Sequence, residues 1–175
     1  MSKFSGILEM CKKSNDIIAI YRWNDDSEIY MVGKIVSVSS EFYILASIDE
    51  YGKPDGFTFQ RLDNIARVEV DSKYIKRIKK TNASIKMEET SLSSINLMDD
   101  LLGDFKTTST TCTIELEDCD IVFCGKIIKN ENDLVHLGQF DIYGKSDGTL
   151  IFEKEYILSF TWNSKEEILL DLCKD

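Results

Sequence analysis

The sequence predicts a mainly β protein built as two tandem five-stranded small β-barrels, each with an N-terminal helix and a short helix after its last strand. Three observations carry this expectation. The chain repeats itself: Asp49-Glu50-Tyr51-Gly52-Lys53-Pro54-Asp55-Gly56 returns as Asp141-Ile142-Tyr143-Gly144-Lys145-Ser146-Asp147-Gly148, 92 positions on (141 − 49) and identical at six of eight places. The same offset pairs Gly33-Lys34-Ile35 with Gly125-Lys126-Ile127, Ile65 with Ile157, and Ser72-Lys73 with Ser164-Lys165, and self-similarity at a fixed period decides architecture ahead of local signals. Each copy also holds short β-branched and aromatic runs separated by Gly, Asn, Asp and Ser, the pattern of strands joined by tight turns. The implied division is 1–80 for the first repeat, a polar aperiodic linker over 81–93, and 94–175 for the second repeat.

Taken in order, Lys3–Lys13 places Phe4, Ile7, Leu8 and Cys11 at the i, i+3, i+4, i+7 spacing of an amphipathic helix. Ile17–Trp23 reads as a strand, Asn24-Asp25-Asp26-Ser27 as a turn, and Glu28–Val38 as a second strand. Gly33 interrupts that strand, as glycine does at a bend or bulge in a curled sheet. Phe42–Ile48 is the third strand, and Phe57–Gln60 and Ile65–Val70 are the last two. Asp71 or Ser72 caps a following helix through a side-chain oxygen. In the second copy, Ile95–Leu102 is a helix ended by Gly103. Thr110–Glu117, Asp120–Lys129 and Asp133–Asp141 are strands, with a hairpin at Asn130-Glu131-Asn132. Leu150–Glu153 and Tyr156–Trp162 follow, and Asn163 or Ser164 caps a last helix carrying Ile168, Leu169 and Leu172. Closure of each five-stranded unit would remove its exposed edges.

Composition narrows the function classes. A chain of 175 residues with 43% hydrophobic content supports a real core. No apolar run approaches the ~18 residues of a membrane helix, and the N-terminal residues do not read as a signal peptide, so the expected location is the cytoplasm with no membrane contact. The five cysteines, Cys11, Cys112, Cys119, Cys124 and Cys173, are odd in number and lack a Cys-x-x-Cys pair; with His136 the single histidine, free thiols and no metal or cofactor are expected. Residues 1–92 carry 14 Lys+Arg and 14 Asp+Glu, whereas 93–175 carry 7 and 17, so the net −10 of the chain lies wholly in the second copy. That acidity repels phosphate backbones; no DNA partner is expected, and RNA is disfavoured.

The order of elements resembles the Sm-like family, an N-terminal helix followed by five strands with two signature motifs. Gly33, Ile35, Val38, Phe42 and Ile44 match the apolar frame of the first motif, with Ser39 where the family has Asp and Tyr43 where it has Asn. Arg61-Leu62-Asp63-Asn64-Ile65 keeps Arg61, Asn64 and Ile65 of the second motif and places Leu62 where glycine belongs. In the second copy that stretch is Glu153-Lys154-Glu155-Tyr156-Ile157, which keeps the aliphatic alone. The resemblance implies Sm-like barrels. It also implies a uridine-rich RNA site built from the motif Asp, Asn and Arg, of which copy one keeps only Arg61; copy two has Glu131, Val135 and Glu153 there.

Several candidate sites remain. In the repeated loop, Tyr51 and Tyr143 are ligand candidates or cover the barrel mouth, while its glycines and Asp-Gly pairs are also the residues of a plain turn. Calcium fits poorly, since each loop offers two carboxylates. Arg61, Asn64 and Tyr43 are RNA or ligand candidates. Lys73, Lys76, Arg77, Lys79 and Lys80 form the one basic concentration, readable as phosphate contacts or as cations answering a helix dipole. No phosphate-binding glycine pattern, nucleophile elbow or paired catalytic group is present, so no enzyme is nominated. The expected function is a non-catalytic module that binds a protein partner or itself. The alternatives are single-stranded RNA binding through repeat one, and an acidic inhibitor masking a basic enzyme through Glu115, Glu117, Asp118 and Asp120.

Overall fold

A computed structural model of the chain describes residues 3–23, 30–81, 96–117 and 121–173. The chain divides into two compact units, Met1–Ile95 and Asn96–Asp175. The expected turn at 24–27, most of the expected linker, and Cys119 lie outside the described residues.

In the first unit, α1 (Ser5–Ser14) leads into β1 (Ile17–Arg22), β2 (Met31–Val38), β3 (Phe42–Ile48) and β4 (Pro54–Arg61). A single 3₁₀ turn, Leu62–Asn64, then joins β4 to β5 (Ile65–Val70), and α2 (Lys73–Thr81) closes the unit. The strands are antiparallel in the order β5-β1-β2-β3-β4. The row is open: among the described residues its end strands, β4 and β5, do not pair with each other within the unit, so the expected closure into a barrel is not observed. In place of one enclosed core, the sheet has a core on each face, and Ile17, Ile18, Ala19 and Ile20 of β1 are all buried. A strand buried on both faces needs a cover on each side. Leu8 and Cys11 of α1 pack with Ile18, Ile20, Ile35, Tyr43, Leu45 and Ile65 on one face. Ile75 and Ile78 of α2 pack with Ile17, Ala19, Val32 and Ile48 on the other.

The second unit repeats the first element for element. It comprises α3 (Leu97–Thr108), β6 (Thr111–Leu116), β7 (Val122–Glu131), β8 (Leu134–Phe140) and β9 (Ser146–Glu153), then the 3₁₀ turn Lys154–Tyr156, β10 (Ile157–Trp162) and α4 (Lys165–Leu172). Its strand order within the unit, β10-β6-β7-β8-β9, is that of the first unit. Even the irregularities recur. The β2–β3 register slips between Ile35 and Ser37, and that of β7–β8 between Ile127 and Lys129. The helix-ending left-handed residues Asn15 and Ser109 both have φ 54°.

The glycines of the second strand in each unit answer a steric need, and the register slips fall two residues beyond them. A Cβ at Gly33 would lie 2.1 Å from the Ala46 carbonyl oxygen, and one at Gly125 would lie 2.2 Å from that of Gly138. Strand backbones approach there more closely than any side chain permits.

Four expectations need correction. Gly103 lies inside α3, which runs on to Thr108 because a glycine in helical conformation lowers stability without forbidding the turn. The second hairpin turns at Asn132-Asp133, both with positive φ (50° and 62°), while Asn130 and Glu131 belong to β7; short polar side chains tolerate that conformation best. Pro54-Asp55-Gly56 and Ser146-Asp147-Gly148 open β4 and β9 and are not part of the loops. Thr81 ends α2 and is not the first residue of the linker.

Candidate functional site

The duplicated loops are held by their own aspartates. Asp49 Oδ1 accepts from the Tyr51 and Lys53 amides (3.0 and 2.7 Å), and Asp141 Oδ1 accepts from those of Tyr143 and Lys145 (2.9 and 2.8 Å). The Gly52 and Gly144 amides donate to the Asp49 and Asp141 carbonyls, with φ of 82° and 77°. Asp and Gly are therefore accounted for by the turn itself, which takes only a backbone amide from the following Lys. Tyr51 and Tyr143 project into solvent.

Of the positions aligned with an RNA-reading motif, Tyr43 and Arg61 are engaged internally and Asn64 is buried. Tyr43 is fully buried and donates its hydroxyl to Gln60 Oε1 at 3.1 Å. Arg61 holds Asp63 with two contacts, Nε to Oδ1 at 3.0 Å and Nη2 to Oδ2 at 2.7 Å, and the guanidinium keeps the Asp63 carboxyl below its ordinary range. Asn64 is buried in the 3₁₀ turn, and its Nδ2 has no hydrogen-bond partner. Phe42 stacks on Phe59, with centroids 4.7 Å apart.

The basic helix splits into two roles. Ile75 and Ile78 anchor it, and Tyr74 meets Tyr30 edge-on at 5.5 Å. Lys79 bridges Asp16 (3.1 Å) and Asp71 (3.0 Å), tying the C-terminal part of α2 to the entry of β1. Lys73, Lys76, Arg77 and Lys80 are exposed.

The last helix stands where the sequence places it, capped by Ser164, but sequence reasoning missed how α4 packs. Of its eight residues only Glu167 is buried, at 2% exposure. Its Oε1 accepts from the hydroxyls of Thr113 (2.6 Å) and Thr161 (2.9 Å), and its Oε2 accepts from the Ser164 amide (2.8 Å) in a capping box. One turn on, Asp171 Oδ1 accepts from Thr111 Oγ1 at 2.7 Å. Hydrogen bonds from hydroxyls and an amide make a buried carboxylate tolerable. Register places Thr111 and Thr113 opposite Lys126 and Cys124, as Ile17 and Ala19 stand opposite Lys34 and Val32. A hydrocarbon contact in the first unit has thus become a polar one. Three of the four aliphatic residues of α4 face outward, Ile168 at 50% exposure, Leu169 at 60% and Leu172 at 74%, while Leu170 is half-buried. Val122 and Ile128 on β7 and Ile151 on β9 are also exposed. A signal was present in the sequence, since Ile75 aligns with Glu167 at the 92-residue offset.

Among the remaining candidates, Cys11 and Cys112 are buried, Cys124 is half-buried and Cys173 is exposed, all as free thiols. His136 lies on β8 opposite Ile151. Among the described residues no group of three or more His, Cys, Asp or Glu side chains is placed to hold a metal ion, and no helix is long and apolar enough to cross a membrane. Compared with known proteins, the chain matches no family model, no curated protein and no solved structure.

Proposed function

We propose that the chain is a non-catalytic binding module of Sm-like type whose work is contact with another protein or with a second copy of itself. The observation that carries this reading is the outward turn of Ile168, Leu169 and Leu172 on a helix whose buried side is acidic. Clusters of exposed aliphatic side chains mark interaction surfaces. The open sheet units add strand edges, a second route to protein contact. The internal engagement of Tyr43 and Arg61 and the burial of Asn64, together with a net −10 in the second copy, favour protein over nucleic acid.

The test is the solution mass of the purified chain together with its nucleic-acid content, read from the absorbance ratio. A mass above that of one chain, or a stoichiometric protein companion, is expected with a nucleic-acid-free spectrum. A monomer carrying only nucleic acid would reverse the reading. Single-stranded RNA binding through the first unit is the second reading, favoured by the four exposed cations Lys73, Lys76, Arg77 and Lys80 on one helix. It requires salt-sensitive oligonucleotide binding that Arg61→Ala weakens.

A further inference from the structure

We infer that α4 is the docking surface for a basic amphipathic helix, one with an apolar stripe flanked by Lys or Arg; this rests on the protein-binding reading above and names its partner chemistry. At 100° per residue, Glu167 and Asp171 point to the sheet, while Ile168, Leu172 and Leu169 form one strip on the opposite side. Ordinary amphipathic packing is inverted here, and α2 supplies the contrast: there Ile75 and Ile78 are sealed and the cations face out. The inversion has a structural cost, since it buries a carboxylate and leaves three aliphatic side chains in water. Covering that strip with a partner removes the second half of the cost.

Charge selects the partner. Glu166 borders the strip on one flank and Asp171 on the other, with Lys165 at its N-terminal end. The surrounding unit, Asn96–Asp175, carries the 17 acidic and 7 basic residues counted above, since 93–95 are uncharged. An apolar strip set in a negative field fits a helix with leucines on one face and cations beside them. A second copy of α4 would set acidic flanks against acidic flanks.

The experiment uses the full chain and three short labelled peptides, followed by fluorescence anisotropy at physiological salt. One is a leucine-lysine peptide with helical periodicity, the second has the same composition with the period broken, and the third replaces lysine by glutamate. The periodic basic peptide is expected to bind, and Leu169→Ser or Leu172→Ser to weaken it about tenfold, the loss typical of an interface anchor. Glu166→Lys should weaken it less, with a flatter salt dependence. These positions are exposed, so unfolding midpoints should stay unchanged. Equal binding of the period-broken or glutamate peptide, or no effect of either serine variant, would overturn the proposal. A dimeric mass that Leu169→Ser returns to monomer would also overturn it, by making a second copy the occupant. Self-association untouched by the serine variants, with no peptide binding, would sink this inference while leaving the protein-binding reading standing.

Discussion

Thr113 donates its hydroxyl to Glu167 Oε1 at 2.6 Å, so α4 is anchored to its sheet through a carboxylate. In the first unit the equivalent pair, Ala19 and Ile75, belongs to one apolar cluster. The two helices share a place in the fold and are held by opposite chemistry.

Glu167→Ala strips Thr113, Thr161 and the Ser164 amide of their acceptor. It should lower stability by about 1–3 kcal/mol, because three half-buried donors lose their acceptor and regain water only in part. Converting the set together, Thr113→Ala, Thr161→Val and Glu167→Ile, should recover most of that loss, as apolar replacement of a buried polar network often does. Urea unfolding of the single and triple variants measures both.

Gly33→Ala and Gly125→Ala should each cost about 3 kcal/mol or more, since the neighbouring carbonyls are backbone and cannot step aside. Gly103→Ala meets nothing within 4 Å and lies in α3. It should raise stability by about 0.5–1 kcal/mol. Thermal denaturation of the three variants gives the contrast in one experiment.

Asp49→Ala and Asp141→Ala each remove an acceptor shared by two amides. A loss of about 1 kcal/mol per loop is expected. Tyr51→Ala and Tyr143→Ala, at exposed positions, should stay within about 0.5 kcal/mol. A loop whose tyrosine matters more than its aspartate would point to a ligand in place of a turn.

The Asp16–Lys79–Asp71 bridge makes a prediction about pH. The Ser14 hydroxyl, then Lys79, holds the Asp16 carboxyl below its ordinary 3.8, and Asp71, then Asp16, holds Lys79 above its ordinary 10.5. The carboxylate's contribution is present above 3.8 and fades as pH falls through the lower folded value. The ammonium's is present below 10.5 and fades as pH rises through the higher folded value. Lys79→Met should therefore cost a constant amount across neutral pH, about 0.2–1 kcal/mol for groups this exposed. The gap to the parent chain should narrow at both extremes, which stability curves against pH would reveal.

Much of this architecture was readable from residues alone. Phe42–Ile48 and Ile65–Val70 fall where β-branched and aromatic runs put them. Gly33 and Gly125 stood out as a repeated glycine in an apolar run, and each meets a neighbouring strand's carbonyl too closely for a side chain. Sheet closure was not readable, because whether β4 meets β5 depends on how both faces of β1 are covered, which is tertiary information. The first hairpins also hid a two-residue difference. Ile20 pairs Met31 across ten intervening residues, whereas Ile114 pairs Phe123 across eight (31 − 20 − 1 and 123 − 114 − 1). An ungapped offset of 92 therefore misaligns β1 with β6 and conceals that Ile17 and Ala19 became Thr111 and Thr113. Without those threonines in view, Glu167 reads as one more surface acid, and the leucines of α4 read as core.

Each unit also carries a thiol sealed from water: Cys11 in the first and Cys112 in the second, both with ionisation suppressed by burial. Such sulfurs react with alkylating reagents only after the surrounding structure opens. The chain thus contains a separate internal clock for each half, and the two alkylation rates, resolved by mass spectrometry, would time the breathing of one duplicate against the other within a single molecule.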